Sequence, residues 1–530
     1  MHVVRVLTGA VGLVLPGVAA SCSDAPPFSP SPIPTSIPSS QPLNGSAFIG
    51  SGAFSNTLAP KWIYYPEASL MHGDAGNVGS IDHPGPLGWN LTITSGLETL
   101  SIMLWGPDGS LTTGYANTSA GVTPVPRGIA AVDPTTLQVL ASWFPPDQDE
   151  ILSLAYIEYL QATNDLVLST QQGQIYIVHR DNCCGNPFFT LTRTINVADI
   201  LTSGEMLLNS NLDTAGNVWF STGGLVGAGD AVQNSTLVGY VKPDGAVYSK
   251  RIETQMVENG IAISNTTIFM VTGPSGPADT ANATGYMWSL TAGTDGEIEV
   301  LWQEPYSAGS AFKPGGFARG SGATPALMND QFVAITDNAD TQIHLLVYHQ
   351  SAQAGSMQQL ACSVPLFEPG ASANDLAVTV HFDGEKYGVI VLNDYDGPHI
   401  MLEYGAEFDV NGGWNDMSKM APGIVRVDVS PDGQTCQVAW DIEMAMKAVP
   451  VLSITTGLLY GYLQDTVLSA EGEYIWYLVA IDWVSGAVVW QQRMGAGGTY
   501  NDNWAGGTVG PDGTFYQSVI GGVVMARDGA

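Results

Sequence analysis

Ile261-Ala262-Ile263-Ser264, then Asn265-Thr266, then Thr267-Ile268-Phe269-Met270-Val271-Thr272 is the stretch that decides the fold. Two runs of β-branched and apolar residues flank a short turn whose asparagine tolerates a positive φ, so the stretch reads as a β-hairpin. The pattern returns at Thr324–Leu327, Asn329–Asp330 and Gln331–Thr336, and again at Val449–Ile454, Thr455–Gly457 and Leu458–Gln464. A further copy is Gly507–Gly510, Pro511–Gly513 and Thr514–Ile520. The interval is roughly fifty to sixty residues, and one such unit cannot bury its own apolar face. Copies must therefore stack round a common axis, which predicts an all-β chain folded as a single β-propeller.

Units begin near Leu97, Leu152, Glu205, Val257, Gly320, Asn374, Ala448 and Trp504, which gives eight four-stranded blades. The irregular first unit leaves seven as the alternative. The last unit has three strands, around Val509, Phe515 and Val524, and the N-terminal Lys61–Tyr65 is expected to supply the fourth and close the ring.

Composition agrees with a large all-β body. Of 530 residues, 45% are hydrophobic, 12% are charged, 62 are glycine and 32 are proline, a turn-rich chain with ample core. The 49 acidic and 16 basic residues leave a formal charge of −33, which repels nucleic acid and anionic membrane surfaces. Residues 1–21 read as a signal peptide, with Arg5, the short apolar run Val11 to Val18, and small residues at Val18-Ala19-Ala20-Ser21. A lipoprotein anchor on Cys22 is the competing reading. Residues 22–56 are a Pro/Ser-rich linker and 57–530 the propeller domain, with no later stretch long and apolar enough to insert in a membrane. Six sequons begin at Asn44, Asn90, Asn117, Asn234, Asn265 and Asn282 and favour a secreted or secretory-lumen glycoprotein, expected as a monomer. Cysteine is scarce: Cys22, Cys183, Cys184, Cys362 and Cys436. A core of this size does not require disulfides.

The outer hairpins share a second pattern. Ala480-Ile481-Asp482-Trp483-Val484-Ser485-Gly486 leads to Val489-Trp490, with weaker copies from Ala131 to Trp143 and from Val427 to Trp440. Others end in Trp302 and Phe367. The aspartate caps the turn, Gly or Asn takes the positive φ, and the aromatic residue docks between blades, a structural role. This hairpin resembles the tryptophan-docking motif of quinoprotein alcohol dehydrogenases, whose propellers are eight-bladed. Gly320-Ser321-Gly322-Ala323-Thr324-Pro325, Val333 to Asp340, and Trp476 to Asp482 resemble a widespread group of quinoprotein-like propellers. The resemblance extends to fungal hetero-Diels–Alderases of tropolonic sesquiterpenoid pathways.

In a four-stranded blade, the loops entering the innermost strand and leaving the second strand lie at one end of the axis. Polar clusters fall at those places: Glu258-Asn259, Arg319-Gly320-Ser321, Asn374-Asp375, Lys447 and Tyr500 to Trp504 before innermost strands, and Asp337 to Asp340 and Asn393 to Asp396 after second strands. Each cluster taken alone also reads as a simple turn, but together they predict a shared mouth. Lys447, Asp394 and Tyr395 are the candidate catalytic residues. Trp504, Asn501, Asn503, Arg319, Asn338, Asn374 and Glu258 are the candidate substrate contacts. Asp337 and Asp340, with Asn338, are candidate calcium ligands, although their spacing is not that of an EF-hand; the histidines form no zinc-ligand pair, and no metal is expected. Cys183-Cys184 could form a vicinal disulfide, as beside the cofactor of quinoprotein dehydrogenases, but its turn faces the opposite end of the ring. That position favours a structural disulfide or two thiols.

The resemblance implies a cofactor-independent enzyme of fungal specialised metabolism. It would join an o-quinone methide, formed from a tropolone or phenol by loss of water, to a humulene-type sesquiterpene by hetero-Diels–Alder cycloaddition. The substrates would be hydrophobic small molecules, and no cofactor is expected. The alternatives are a quinone-dependent dehydrogenase and a non-catalytic secreted binding propeller.

Overall fold

The structure is a computed structural model that describes residues 36–118, 125–183, 186–223, 235–275, 284–317, 319–354, 358–399 and 408–529. It is an eight-bladed propeller, not a seven-bladed one, and each blade is a four-stranded antiparallel sheet running outward from the axis. The innermost strands are Leu100–Trp105, Glu158–Leu160, Leu207–Leu212, Ala262–Ser264, Ala326–Met328, Thr379–Phe382, Val451–Ser453 and Gly507–Val509, numbered here as blades 1 to 8. Each starts a few residues after the unit boundary read from sequence. The turns after them take the expected backbone, with φ 57° at Asn265, 53° at Asn329, 71° at Gly457 and 87° at Gly513.

Lys61–Tyr65 does not close the ring. The outermost strand of blade 8 is Thr92–Gly96, which pairs antiparallel with Val523–Arg527. Blade 8 has its own innermost strand and lacks only an outer one, and an outer position is reached by the residues immediately before blade 1. The described part of the expected linker is packed against the ring. Ile37 is buried beside Ser95 and Tyr500, and Phe48–Gly50 pairs with Trp490–Gln492 on the outer edge of blade 7, covering backbone groups that would otherwise face solvent.

The intervening segment, from Tyr64 to Ile81, fills the axis. Its carbonyls at Glu67, Ala75, Gly76, Val78, Gly79 and Ile81 accept from the backbone amides of Gln161, Ile263, Leu327, Val380, Leu452 and Ile454. It thereby pairs with the innermost or adjoining residues of blades 2, 4, 5, 6 and 7. The segment comes in at the end opposite the predicted mouth: Tyr65 accepts from Asn265, the Tyr64 hydroxyl bonds the turn at Asn329, and Asp82 accepts from Thr455. Ala68, Leu70, Ala75 and Val78 belong to the main hydrophobic core. Gly76 is required here, since a Cβ would meet the Tyr64 ring at 2.7 Å.

Adjacent blades lock through the outer hairpins. Trp440 of blade 6 lies on Gly486 of blade 7 and donates to Trp483 O at 3.1 Å, and the Asp482 carboxylate caps that turn through Ser485 N at 2.8 Å. Trp302 of blade 4 stacks on Tyr348 of blade 5, with centroids 6.1 Å apart. A disulfide, Cys362–Cys436, ties the outer strands of blades 5 and 6, with Cα atoms 6.2 Å apart across 74 residues of sequence. Cys362→Ser with Cys436→Ser is expected to lower stability by about 2–4 kcal/mol, measured as the denaturation midpoint with and without reductant; the double variant should no longer respond to reductant. Cys183 ends a third strand, and Cys184 lies outside the described residues. Among the described residues no helix is long and apolar enough to cross a membrane.

Candidate functional site

The loops at the mouth end meet over the apex of the axial segment. Two groups of side chains assemble there, joined by the loop Asp394–His399.

The first group is a set of buried carboxylates. The Asp394 Oδ2 accepts Asp375 N at 2.6 Å, and Asp375 Oδ2 accepts Phe317 N at 2.7 Å. Glu258 arrives from blade 4 and is buried with Oε2 lacking a hydrogen-bond partner. Asn259 bridges the blades: its amide donates to Gly322 O at 2.7 Å, and its oxygen accepts from Tyr156 of blade 2 and from Thr324. Burial, and then repulsion by Asp375, holds Glu258 and Asp394 well above the usual carboxylate range, and burial pushes Asp375 up to about 6. Half-buried Lys313 donates to Ala339 O and Ser372 O at 2.7 and 2.9 Å. An acid raised by folding binds protons more tightly in the native state. Its contribution to stability is complete below the unfolded carboxylate range near 4 and is lost as pH climbs through about 6 and beyond. Glu258→Gln is therefore expected to flatten the fall in denaturation midpoint between pH 5 and pH 8, a slope that wild type should show.

The second group centres on Lys447, which is fully buried. Its Nζ lies 3.7 Å from Asp502 Oδ1, donates to Pro398 O at 3.3 Å and sits 5.6 Å from the Trp476 ring centre. Burial lowers Lys447 to about 8 against the pull of Asp502, and burial raises Asp502 to about 6 against the pull of Lys447. Aromatic rings cover the pair. Phe317 packs against His399 at 4.7 Å and against Trp504 at 4.8 Å, and the Trp504 indole donates to Pro398 O at 3.4 Å. His399 is held low by burial and then by Lys447.

Other residues singled out from sequence hold the loops. Asn374 donates to Leu392 O at 2.9 Å, Asn338 to Ala308 O at 3.0 Å, and Asn501 to Asn415 Oδ1 at 2.8 Å. Asn503, with φ 44°, turns the chain toward Trp504, and Arg319 is buried where its loop crosses Gly273. Tyr395 is half-buried at the rim. Asp337 pairs with His344 at 3.0 Å, and Asp340 caps Ser310 at 2.7 Å. Among the described residues no three His, Cys, Asp or Glu side chains converge as a metal shell. The carboxylate beside Lys447 is Asp502, not Asp394. Asp502, Asp375, Phe317 and His399 were not singled out in the sequence. Asp502 and Asp375 lie inside clusters that were, but which member of such a cluster turns inward depends on the loop backbone.

No protein-family model matches the chain. An uncharacterized protein of Archaeoglobus fulgidus is 25% identical over 348 residues, and the match spans 61% of each chain. The quinohemoprotein alcohol dehydrogenase of Comamonas testosteroni superposes with a TM-score of 0.54 at 11% identity, over 88% of this chain and 81% of that one. The fold is that of a quinoprotein-dehydrogenase-like propeller. A second quinohemoprotein alcohol dehydrogenase, from Pseudomonas putida, covers 88% of this chain and 82% of its own at 11% identity, with a TM-score of 0.47. At this identity the likeness is one of architecture.

Among the described residues the axis offers no space for a planar quinone. The axis is occupied by Tyr64–Ile81, and the chambers beside its apex at His72 measure about 30 and 10 Å3. The carboxylates at the mouth are engaged with backbone amides or spread over separate loops.

Proposed function

We propose that this propeller is an acid–base enzyme acting without a redox cofactor on small, largely apolar molecules, with Lys447 and Asp502 as its proton-transfer pair. The pair itself carries the reading. A buried cation and carboxylate whose pKa values, about 8 and about 6, bracket neutrality are poised as acid and base at the same pH. Phe317, His399 and Trp504 supply an aromatic cover, and a substrate reaches the pair by displacing the half-buried Trp504 indole.

Within that class, the sequence resemblance supports a dehydrative hetero-Diels–Alder coupling. The Asp502 carboxylate takes the proton of a phenol or tropolone hydroxyl. The Lys447 ammonium protonates the departing hydroxyl of the neighbouring hydroxymethyl group, and water leaves. The resulting o-quinone methide adds across an alkene of a humulene-type sesquiterpene, forming one C–O and one C–C bond with no net oxidation. Return of the proton from Asp502 to Lys447 across 3.7 Å restores the pair. The leader and the exposed sequons Asn44, Asn90 and Asn265 support residence in the secretory pathway or outside the cell. Asn117 is half-buried, and Asn234 and Asn282 lie outside the described residues.

A comparative metabolite profile of the producing organism, with and without the gene, tests the reading. Loss of a cyclised adduct, with both uncoupled precursors accumulating at unchanged oxidation state, is the expected result. Accumulation of a precursor richer by two hydrogens would overturn it in favour of a dehydrogenase, and an unchanged profile in favour of a binding propeller.

A further inference from the structure

Phe54 is 85% exposed, the most exposed large hydrophobic side chain among the described residues. It packs beside Trp89, itself 45% exposed, with ring centres 5.9 Å apart. The indole is held at three points. One face lies on Gly52, its Nε1 donates to Ala53 O at 2.8 Å, and its backbone amide donates to Asp528 Oδ1 at 2.7 Å. The two rings therefore form a fixed platform, and it stands beside the strand that closes the ring. Ala53 N donates to Leu87 O at 2.7 Å, which joins the chain leaving the edge of blade 7 to the chain entering Thr92–Gly96 of blade 8. An exposed apolar platform marks a surface that something covers.

The next residue says what covers it. Asn90 opens the sequon Asn90-Leu91-Thr92, and both Asn90 and Thr92 are exposed. Asn90 has φ 49°, and its carbonyl accepts Gly529 N at 3.1 Å, so the backbone is fixed in a turn. None of the hydrogen bonds among the described residues engages its side-chain amide, whereas Asn44 Nδ2 donates to Glu473 Oε2 at 2.7 Å. A sugar attached at Asn90 is tethered one residue from the indole. The C–H face of a pyranose is apolar while its hydroxyls stay in water, which suits it to an exposed aromatic ring.

We propose that Asn90 carries an N-linked glycan whose first sugars stack on the Trp89–Phe54 platform and cover the seam between blades 7 and 8. The proposal rests on the secretory-pathway residence argued above. Transfer from a lipid-diphosphate oligosaccharide breaks the C1–O bond to the diphosphate and forms a C1–Nδ2 bond. The lipid diphosphate and one amide proton leave, and nothing is oxidised or reduced. To test this, the full chain is purified from the producing organism, its glycopeptides are mapped by mass spectrometry, and hydrogen exchange is followed in the peptide spanning residues 51–56. Thr92→Val removes this sequon alone, keeping a β-branched strand residue and leaving Asn90 in place. Asn90 is expected to be occupied in wild type, with the Ala53 amide exchanging about fivefold more slowly than in Thr92→Val. Phe54→Ser, which removes an exposed ring, should keep the glycan and lose that difference. A bare Asn90 on a chain glycosylated at Asn44 or Asn265 would overturn this site and leave the secretory reading standing, whereas a chain bare at every sequon would overturn both. An occupied Asn90 without slowing, or slowing that persists in Phe54→Ser or after enzymatic deglycosylation, would overturn the stacking.

Discussion

Replacing Lys447 by methionine is expected to lower turnover by about 10²- to 10⁴-fold, the usual contribution of a positioned acid or base. Wild type should show a bell-shaped profile, rising through about pH 6 as Asp502 ionises and falling through about pH 8 as Lys447 loses its proton. These limbs belong to the pair as a coupled system. Asp502→Asn should remove the acidic limb and Lys447→Met the alkaline one, a split that a purely structural role would not produce. Stability should respond as well. Without the ammonium, Asp502 remains buried beside no cation, and breaking such a pair costs about 3–5 kcal/mol. Because the raised carboxyl holds its proton in the folded state, the loss should be small at pH 5 and large at pH 8. Lys447→Met with Asp502→Leu should recover stability at pH 8 while turnover stays low. Turnover within twofold of wild type in Lys447→Met would remove the pair from the mechanism.

Tyr64→Ala is expected to cost about 3–5 kcal/mol. Tyr64 is 4% exposed, its ring lies against Gly76, and its hydroxyl donates to Leu327 O at 3.0 Å and accepts Asn329 N at 2.9 Å. Truncation leaves both a cavity and unpaired backbone groups at the base of the axial segment. Chemical denaturation with near- and far-UV circular dichroism checks this. Tyr64→Phe, which keeps the ring, should lose only about 1 kcal/mol. A loss below about 1 kcal/mol in Tyr64→Ala would mean that the axial segment is held by its carbonyl pairing alone.

The blades were legible because their signals are local. Asn265, Asn329, Gly457 and Gly513 each sit between two apolar runs, and a residue that accepts positive φ there commits the chain to a hairpin whatever surrounds it. Asp482, Ser485 and Gly486 mark an outer turn in the same way, and Trp440 had only to find its neighbour. Even the mouth was legible as a place, since strand order alone puts the loops bearing Glu258, Asp394, Lys447 and Trp504 at one end of the ring.

The partners inside that mouth were not legible. Lys447 and Asp502 are 55 residues apart, and Asp502 meets the ammonium because Asn501 is bound to Asn415 and Asn503 reverses the backbone. Glu258 shares a buried environment with Asp375 and Asp394 only once blades 4 and 6 have closed round the axis. Cys362 and Cys436 likewise meet only when the outer strands of blades 5 and 6 are side by side. The axial segment had no periodic signal, because Tyr64–Ile81 gives its carbonyls to five different blades and alternates with none of them. Sequence by itself determined the repeating unit, its hairpins and the end of the ring where polar loops gather, since those depend on neighbours a few residues apart. Tertiary structure alone decided what fills the axis, which strand closes the ring and which carboxylate faces Lys447, because each is a contact between segments that ring closure brings together.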